Sequence, residues 1–327
     1  MKTFNSRGKP QPERDDPRPL TSNAGLSFVG SYVLGMGFTL TPEERDELIK
    51  RNKKNGERIF PYLGGKEVNT SPTQAFHRYV INFGDMALEE AERWPDLIAI
   101  VREKVKPERD KLRDNSIGRK RREYWWRYGS SAPALYDAIR DLPRCLVNSQ
   151  VSKHLIFAFQ PTDRVFSHAL YAYPLPHHTH FAILQSRVHE PWARLLSSTF
   201  GEGPRYAASN CFDTFPFPNP NPKESIMNLE TIGQQVYEAR AKYLIDHDIG
   251  LTIYYNRLKD PKNRDAEILM HRRLHEEMDR QVCLAYGWDD LAQAVPPFEV
   301  EDAAWKDEVI DRLYLLNAER AAEESKE

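Results

Sequence analysis

The chain has 327 residues and a mass of 38.0 kDa, with 40% hydrophobic, 29% charged and 11% aromatic residues. This composition predicts a soluble globular protein that is long enough for two domains with separate cores. No apolar run approaches the roughly 20 residues that cross a bilayer. The first residues (Met-Lys-Thr-Phe-Asn-Ser) lack the apolar core of a secretory signal. We therefore expect neither a membrane span nor secretion.

The cysteines and the charges indicate the cellular compartment and the class of partner. Cys145, Cys211 and Cys283 lie far apart and form no Cys-x-x-Cys motif. Their spacing favours a reducing cytoplasm over a disulfide framework or a structural zinc site. The formal net charge of −2 conceals a gradient, because residues 102–127 hold eleven Lys or Arg and five Asp or Glu, whereas residues 289–327 hold four and twelve. The basic stretch can bind a polyanion, although two solvated helix faces would give the same pattern.

The N-terminal third predicts a leader, short strands and then helices. Residues 1–22 are polar and rich in Pro, Arg and Asp, which predicts a disordered leader. Residues 27–40 are apolar and punctuated by glycine, which favours strands joined by a tight turn. A helix is predicted from Thr41, because Thr41 can cap it and Glu44 completes a capping box. A longer helical tract is predicted over residues 87–113, with prolines that restart it.

The middle of the chain predicts strands and one further helix. Short runs of β-branched and aromatic residues predict strands at 145–148, 154–159 and 165–173. Residues 181–198 predict a helix that bends near Pro191.

The proline run at residues 215–222 predicts a domain boundary, because four prolines remove four backbone donors. Beyond it, apolar periodicity predicts helices at 229–245, 266–286 and 303–323. The predicted fold class is α+β. A mixed domain with a β-sheet and a basic helical insertion (residues 23–222) precedes an all-helical C-terminal domain (residues 223–327).

The histidines do not predict a metal or catalytic site. His177, His178 and His180 are close in sequence but have no neighbouring Cys or paired carboxylate. His271 and His275 share a helix face without the glutamate that a zinc hydrolase places after its first histidine. We therefore predict no catalytic, metal-binding or cofactor-binding residue in this chain.

Features that suit a polyanion are more numerous. Four consecutive cations precede an aromatic run in Arg-Lys-Arg-Arg-Glu-Tyr-Trp-Trp-Arg-Tyr. Cations pair with phosphates and release counterions, while aromatic rings can pack on sugars or bases. Trp125 and Trp126 are interpreted as core residues rather than as ligand contacts. The predicted phosphate-binding residues are Lys104, Lys106, Lys111, Arg119, Lys120, Arg121, Arg122 and Arg127.

Two further segments are chemically able to contact base edges. Ser149, Ser152, Lys153 and His154 form a polar cluster at the entry to a predicted strand. The second segment, Gly-Glu-Gly-Pro-Arg-Tyr at 201–206, is an irregular loop directly after a predicted helix. A glutamate can accept a hydrogen bond from cytosine N4, and an arginine can donate two to guanine.

These residues are also part of a family resemblance that extends over about residues 21–322. The chain resembles the C-terminal portion of MmeI-like type IIL restriction-modification enzymes. Those enzymes join a nuclease, an adenine-N6 methyltransferase and a DNA-reading domain in one chain. The resemblance rests on Ser-Tyr-Val-Leu-Gly-Met-Gly-Phe at 31–38, Phe-Pro-Tyr-Leu-Gly-Gly-Lys-Glu-Val-Asn at 60–69, Tyr-Val-Ile-Asn-Phe-Gly-Asp-Met at 79–86, Leu-Gln-Ser-Arg-Val-His at 184–189, Arg205 to Pro218, Tyr-Asn-Arg at 255–257, and Ala-Tyr-Gly-Trp-Asp-Asp-Leu at 285–291.

The resemblance implies a target-recognition domain and a helical tail without the enzyme's chemistry. The nuclease site, the glycine-rich S-adenosylmethionine loop and the Asn-Pro-Pro-Tyr adenine pocket of the family do not occur in this sequence. S-adenosylmethionine is therefore expected in a partner chain or a missing N-terminal portion. That portion and double-stranded DNA are the expected partners, with no membrane.

Base-reading residues are assigned by position within the family's motifs. The family's base contacts come from the loop between the Gln-Ser-Arg and Arg-Tyr motifs, which implies Glu202 and Arg205, with Arg187 in the preceding motif. The function expected is sequence-specific recognition of double-stranded DNA for a restriction-modification system. Two alternatives stay open. The chain could be an adenine-specific methyltransferase, or an interaction module whose acidic helices dock a separate methyltransferase subunit.

Overall fold

The computed structural model describes residues 16–200, 203–219 and 223–326. Its fold class is α+β, as predicted from the sequence. The strands are β1 (Phe28–Val29), β2 (Thr39–Leu40), β3 (Ile59–Leu63), β4 (Arg78–Ile81), β5 (Arg144–Ser149), β6 (Phe157–Pro161), β7 (Val165–Phe166), β8 (Leu170–Tyr173), β9 (Ser198–Phe200) and β10 (Gly203–Arg205). The helices are α1 (Pro42–Arg51), α2 (Gly65–Thr70), α3 (Leu88–Ala91), α4 (Pro95–Lys104), α5 (Lys106–Asp110), α6 (Ser116–Glu123), α7 (Pro133–Ile139), α8 (His178–Gln185), α9 (His189–Leu196), α10 (Ala208–Cys211), α11 (Lys223–Asp246), α12 (Leu251–Lys259), α13 (Ala266–Ala285), α14 (Asp289–Gln293) and α15 (Ala303–Glu324).

Two four-stranded sheets and one hairpin organise the strands. The first sheet has the order β1-β8-β5-β6 and is antiparallel throughout. The second has the order β2-β4-β3-β7, with β3 and β7 parallel. Strands β9 and β10 form a separate hairpin. Strands β1 and β2, which the sequence predicted as neighbours across a tight turn, belong to different sheets, because each pairs with a strand far along the chain.

The first sheet is covered by helices on both faces. One face packs with α8, α9 and the long C-terminal helices α11, α13 and α15. The other face packs with α7 and α12. A third apolar cluster joins the second sheet to α4 and contains Trp125 and Trp126, each 6% exposed. The interpretation of both tryptophans as core residues is confirmed.

The prediction of one continuous helix over residues 181–198 is wrong. The structure has two helices, α8 and α9, separated at residues 186–188. The break is at Ser186, whose hydroxyl donates to the carbonyl of Ile183 (2.7 Å) and accepts from the backbone of Val188 (3.2 Å). Pro191 lies in the first turn of α9. Backbone N–H groups in the first turn make no hydrogen bond within the helix, so a proline there removes none.

The predicted disordered leader is described only in its last residues. Residues 1–15 lie outside the described residues. Residues 16–22 differ from the expectation, because the backbone N–H of Leu20 donates to the carbonyl of Asp213 (2.8 Å) and that of Arg18 donates to Asn317 (3.0 Å). Leu20, an apolar residue of this stretch, is only 2% exposed, so its burial adds to the hydrogen bonds that hold the segment in place.

Candidate nucleic-acid interface

The four consecutive cations lie on α6, which is anchored at both ends. Asn115 caps the helix by accepting a hydrogen bond from the backbone of Gly118 (2.7 Å). Just after the helix, the buried Trp126 donates from its indole to the carbonyl of Met86 (2.9 Å). The cap and the buried tryptophans together hold the basic helix on the surface of the third apolar cluster.

Several of the predicted phosphate-binding cations are already engaged within the protein. Arg119 pairs with Asp114 (3.2 Å), and Arg122 donates to Asp114 (2.8 Å) and to the carbonyl of Leu112 (2.6 Å). Arg127 donates from Nε to the carbonyl of Met86 (2.9 Å) and lies 4.6 Å over the ring of Tyr124. Arg122 and Arg127, which also bond backbone carbonyls, brace α6 and the segment after it, whereas the Arg119–Asp114 pair is exposed and contributes little to stability.

Lys120 and Arg121 differ from their neighbours, because their side chains have no hydrogen bond or ion pair among the described residues. Both side chains line a cavity of about 500 Å³ beside α6, which we call the basic cavity. Its other lining residues include Tyr124 and Ser130, whose hydroxyls are able to donate hydrogen bonds to an anion, and Ser131, whose hydroxyl donates to the lining carboxylate of Asp85 (3.2 Å). Two unengaged cations beside hydroxyl donors form an arrangement that can bind phosphate.

The remaining predicted phosphate-binding residues lie on or just after α4 and α5. Lys104 is 3.6 Å from Glu44, and Lys106 is 2.8 Å from Asp110. Lys111 is exposed. Exposed pairs of this kind contribute little to stability, about 0–1 kcal/mol, so these lysines can exchange their partners for an anion at low cost.

The two segments predicted to contact bases lie next to each other. Val151 forms an antiparallel bridge with Arg205, and the backbone N–H of Tyr206 donates to the carbonyl of Gln150 (2.8 Å). We call residues 149–154 together with residues 203–205 the reading loops. They are separated by about fifty residues of sequence, and only the tertiary structure brings them together.

Within the reading loops, the polar side chains differ in whether they are free to contact a ligand. Arg205 is exposed, and its guanidinium has no hydrogen bond or ion pair in the described part of the chain. The hydroxyl of Ser152 is buried without a partner there. Ser149 is 6% exposed and donates to the carbonyl of Gly65 (3.3 Å), so it supports the loop from inside. Glu202 lies outside the described residues.

Lys153 and His154 are held by a residue of the helical C-terminal part. Lys153 Nζ donates to Asn256 Oδ1 (2.7 Å), and His154 Nε2 lies 2.9 Å from the same oxygen. Burial lowers the pKa of His154, although the hydrogen bond to Asn256 partly offsets this effect. Asn256 on α12 thus positions the loop. The Tyr-Asn-Arg motif at 255–257 is part of the family resemblance, but the sequence alone gave Asn256 no role.

An ion-pair cluster fixes α12 against α9 beside the reading loops. Glu190 accepts from Lys259 (2.7 Å) and from Arg194 (2.7 Å). Burial raises the pKa of Glu190, but the charges of Lys259 and Arg194 outweigh that effect and hold it at about 2. Glu190 therefore stays ionised at neutral pH, and its ion pairs hold α12 beside the reading loops.

Arg187 does not lie where the family resemblance implied. Its side chain is only 7% exposed and pairs with the fully buried Asp279 at 2.6 Å. It also donates to the carbonyls of Pro296 (2.8 Å) and Pro297 (3.0 Å). With its donors used inside the protein, Arg187 holds α13 and the segment after α14 together and is not available to bases.

Among the five histidines of the two sequence clusters, His178 and His271 have side-chain partners, whereas both ring nitrogens of His275 are buried without a hydrogen bond in the described part of the chain. His178 Nδ1 lies 3.2 Å from Glu230, and Tyr254 lies 2.9 Å from His271 Nδ1. Over the described ranges no group of three or more His, Cys, Asp or Glu side chains is arranged to hold a metal ion. None of the helices in those ranges combines the length and the hydrophobicity that a membrane span requires.

Comparisons with known proteins place this architecture in a family. The family described as "MmeI, target recognition domain" matches residues 15–219. The solved structure of the type IIL restriction-modification enzyme MmeI in complex with DNA shares the fold, with a TM-score of 0.70 and 18% sequence identity. The similarity covers 98% of this chain and 39% of that one, so this chain spans well under half of that enzyme's length. No curated protein matches the chain. Because the family match extends over more than half of the sequence, the chain belongs to the MmeI target recognition domain family.

Proposed function

We propose that this chain recognises a specific sequence in double-stranded DNA for a restriction-modification system. The observation that carries the proposal is the meeting of two distant segments in the reading loops, where the exposed guanidinium of Arg205 has no partner among the described residues. Membership of a target-recognition family supports the same function. The unengaged cations Lys120 and Arg121 would bind phosphates and set the register of the duplex, and the reading loops would contact base edges.

The methylation chemistry would be supplied by another polypeptide portion. We infer that an adenine-N6 methyltransferase portion binds S-adenosylmethionine, and that this chain places the target adenine before it. Incubation of the purified chain with labelled S-adenosylmethionine and duplex DNA tests this division. We expect no label on the DNA. Methyl transfer by the chain alone would show that it is itself an adenine methyltransferase.

Arg205→Ala is the direct test of sequence recognition. An arginine that donates two hydrogen bonds to guanine contributes about 1–3 kcal/mol of discrimination, so its removal should relax the preference at one base pair about fivefold or more. Selection of bound duplexes from a randomised pool, followed by sequencing, measures the preference. Arg273→Ala is the matched control, because Arg273 is an exposed arginine on α13. An unchanged preference in Arg205→Ala would show that Arg205 does not read bases.

A second candidate function, docking of the methyltransferase portion, is favoured by an apolar cavity on the helical part. The cavity has a volume of about 660 Å³ and lies between α8, the first turns of α11 and residues 22–26. At its edge Ile226 is 44% exposed and Met227 is 67% exposed. Exposed apolar side chains around a cavity are typical of a protein contact surface.

Substitution of the cavity edge separates docking from DNA recognition. We expect Ile226→Asp with Met227→Asp to weaken capture of a purified methyltransferase portion and to leave duplex affinity unchanged. Met270→Asp, at a 47% exposed position on α13, is the control for an added surface charge. Unchanged capture by the double variant would exclude this cavity as the docking surface.

A further inference from the structure

A short set of hydrogen bonds and one ring contact, which we call the seam, connects the basic cavity to the reading loops. On the cavity side, the backbone N–H of Tyr32 donates to the carbonyl of Ser130 (3.0 Å), and that of Gly129 donates to the carbonyl of Tyr32 (2.8 Å). Ser130 itself lines the basic cavity. Tyr32 is therefore adjacent to the place where Lys120 and Arg121 lie unengaged.

The opposite side of the seam is part of the reading loops. The side chain of Gln150 donates from Nε2 to the carbonyl of His168 (2.7 Å). The carbonyl of Gln150 accepts from the backbone of Tyr206, directly beside Arg205. His168 is therefore fixed to the loop that is predicted to contact bases.

Tyr32 and His168 join the two sides of the seam. Their rings stack with centroids 4.6 Å apart and an interplanar angle of 21°. Tyr32 remains 39% exposed, and its hydroxyl has no hydrogen-bond partner among the residues that the structure describes. An exposed ring held by stacking, with a free donor at its tip, is a typical DNA-contacting side chain.

The backbone around this pair is locked in place. Ser31 N–H donates to the carbonyl of Phe166 (2.7 Å), and His168 N–H donates to the carbonyl of Ser31 (2.9 Å). At Gly30 a Cβ atom would lie 2.2 Å from the carbonyl oxygen of Ser167, so only glycine allows this close approach. The stacked pair therefore keeps its position without a ligand, which lowers the entropy cost of binding.

We propose that Tyr32, supported by His168, contacts the sugar-phosphate backbone of the duplex between the basic cavity and the reading loops. The Tyr32 hydroxyl donates to a phosphate oxygen, and the exposed part of its ring packs on the adjoining deoxyribose. This inference rests on the proposed function, and it adds a contact that lies between the cation site and the base-reading site. Because phosphate contacts position the duplex without reading it, Tyr32 contributes affinity to all sequences alike.

Three variants test the contact, with binding measured by fluorescence anisotropy on a selected duplex and on a random duplex at several salt concentrations. Because a hydrogen bond to a charged group is among the stronger ones in proteins, Tyr32→Phe should lower the affinity for both duplexes by about tenfold or more. Tyr32→Ala should lower the affinity for both duplexes further, because the ring is removed as well. His168→Ala should lower the affinity for both duplexes by a smaller factor, since it removes only the support of the Tyr32 ring.

Met36→Ala is the matched control, because Met36 is 73% exposed in the same N-terminal segment. Tyr32→Phe keeps the stacked ring, so its folding should match the parent in thermal unfolding. If both Tyr32 variants bind as the parent does while Lys120→Ala with Arg121→Ala binds more weakly, this inference is overturned and the proposed function stands. A change of sequence preference in Tyr32→Phe would also overturn it, since the hydroxyl would then read a base. Failure of the parent to bind any duplex would instead refute the proposed function.

Discussion

Arginines in two regions of this molecule differ in their burial and in their hydrogen-bond partners. In the interior, behind the first sheet, Arg187, Arg240 and Arg272 are each at most 6% exposed. Arg240 donates to the carbonyl of Phe157 (2.9 Å), and Arg272 donates to the carbonyl of Leu258 (2.9 Å). At the surface, the side chains of Arg121 and Arg205 have no hydrogen bond or ion pair within the described ranges.

The comparison shows that the identity of a cation does not determine its role. A buried guanidinium must use its donors inside the protein, because unpaired charge in the interior carries a large desolvation cost. An exposed guanidinium without a protein partner is hydrated and can exchange water for phosphate or a base edge. The hydrogen-bond partners of each guanidinium therefore separate structural arginines from those available to DNA. The first and the last of the three predictions below test that separation, and the second tests the buried interior.

The largest effect is expected for Arg187→Ala. Removing this arginine leaves the carboxylate of Asp279 buried without its partner, which typically costs about 3–5 kcal/mol of stability. Urea denaturation of the variant and of Arg205→Ala measures the difference, and we expect Arg205→Ala to unfold as the parent does. An Arg187→Ala protein of parental stability with an altered sequence preference would place Arg187 among the base readers after all.

A loss of folding stability of similar size is expected at acid pH, and it arises from buried histidines. Burial lowers the pKa of His189 from 6.5 to about 4, and its Nδ1 lies 2.8 Å from the carbonyl of Leu184. Between these two values the unfolded chain binds a proton that the folded protein excludes. The free energy of unfolding should therefore fall as the pH falls from 6.5 to about 4, by about 3 kcal/mol for this group.

His189→Gln isolates this contribution. His275 adds a change of the same sign, because burial lowers its pKa well below the ordinary value, and so the parent should lose more stability than one histidine explains. Unfolding measured between pH 7 and pH 4 should show a shallower decline in the variant. Parallel curves for parent and variant would mean that His189 is protonated in the folded protein at its ordinary pKa.

The smallest effect distinguishes cations within α6. Lys120→Ala with Arg121→Ala should lower the affinity for specific and for random duplexes alike. It should also reduce the slope of log affinity against log salt by about 0.9 for each phosphate that the protein no longer neutralises. Arg119→Ala with Arg122→Ala removes the same formal charge from side chains that are already paired with Asp114. We expect that pair to change the salt slope less and the stability of the helix more. Equal salt slopes for the two double variants would refute the distinction.

The sequence was sufficient where local interactions decide the structure. The capping box of Thr41 and Glu44 is present, and α13 and α15 occupy almost the residues that apolar periodicity predicted. Each of these features depends on residues within one or two helical turns. The break between α8 and α9 was missed because Ser186 competes with the helix through its own side-chain hydrogen bonds, and apolar spacing does not reveal that competition.

By itself, the sequence determined the α+β class, the family resemblance and the segments that contain the candidate site. Only the tertiary structure decided that the reading loops meet, that Arg187 is internal, and that Lys120 and Arg121 are the unengaged members of the basic run. The physical reason is that pairing partners and burial are set by contacts between residues far apart in the chain. The partner of Arg187 is 92 positions away, and no local pattern contains that information.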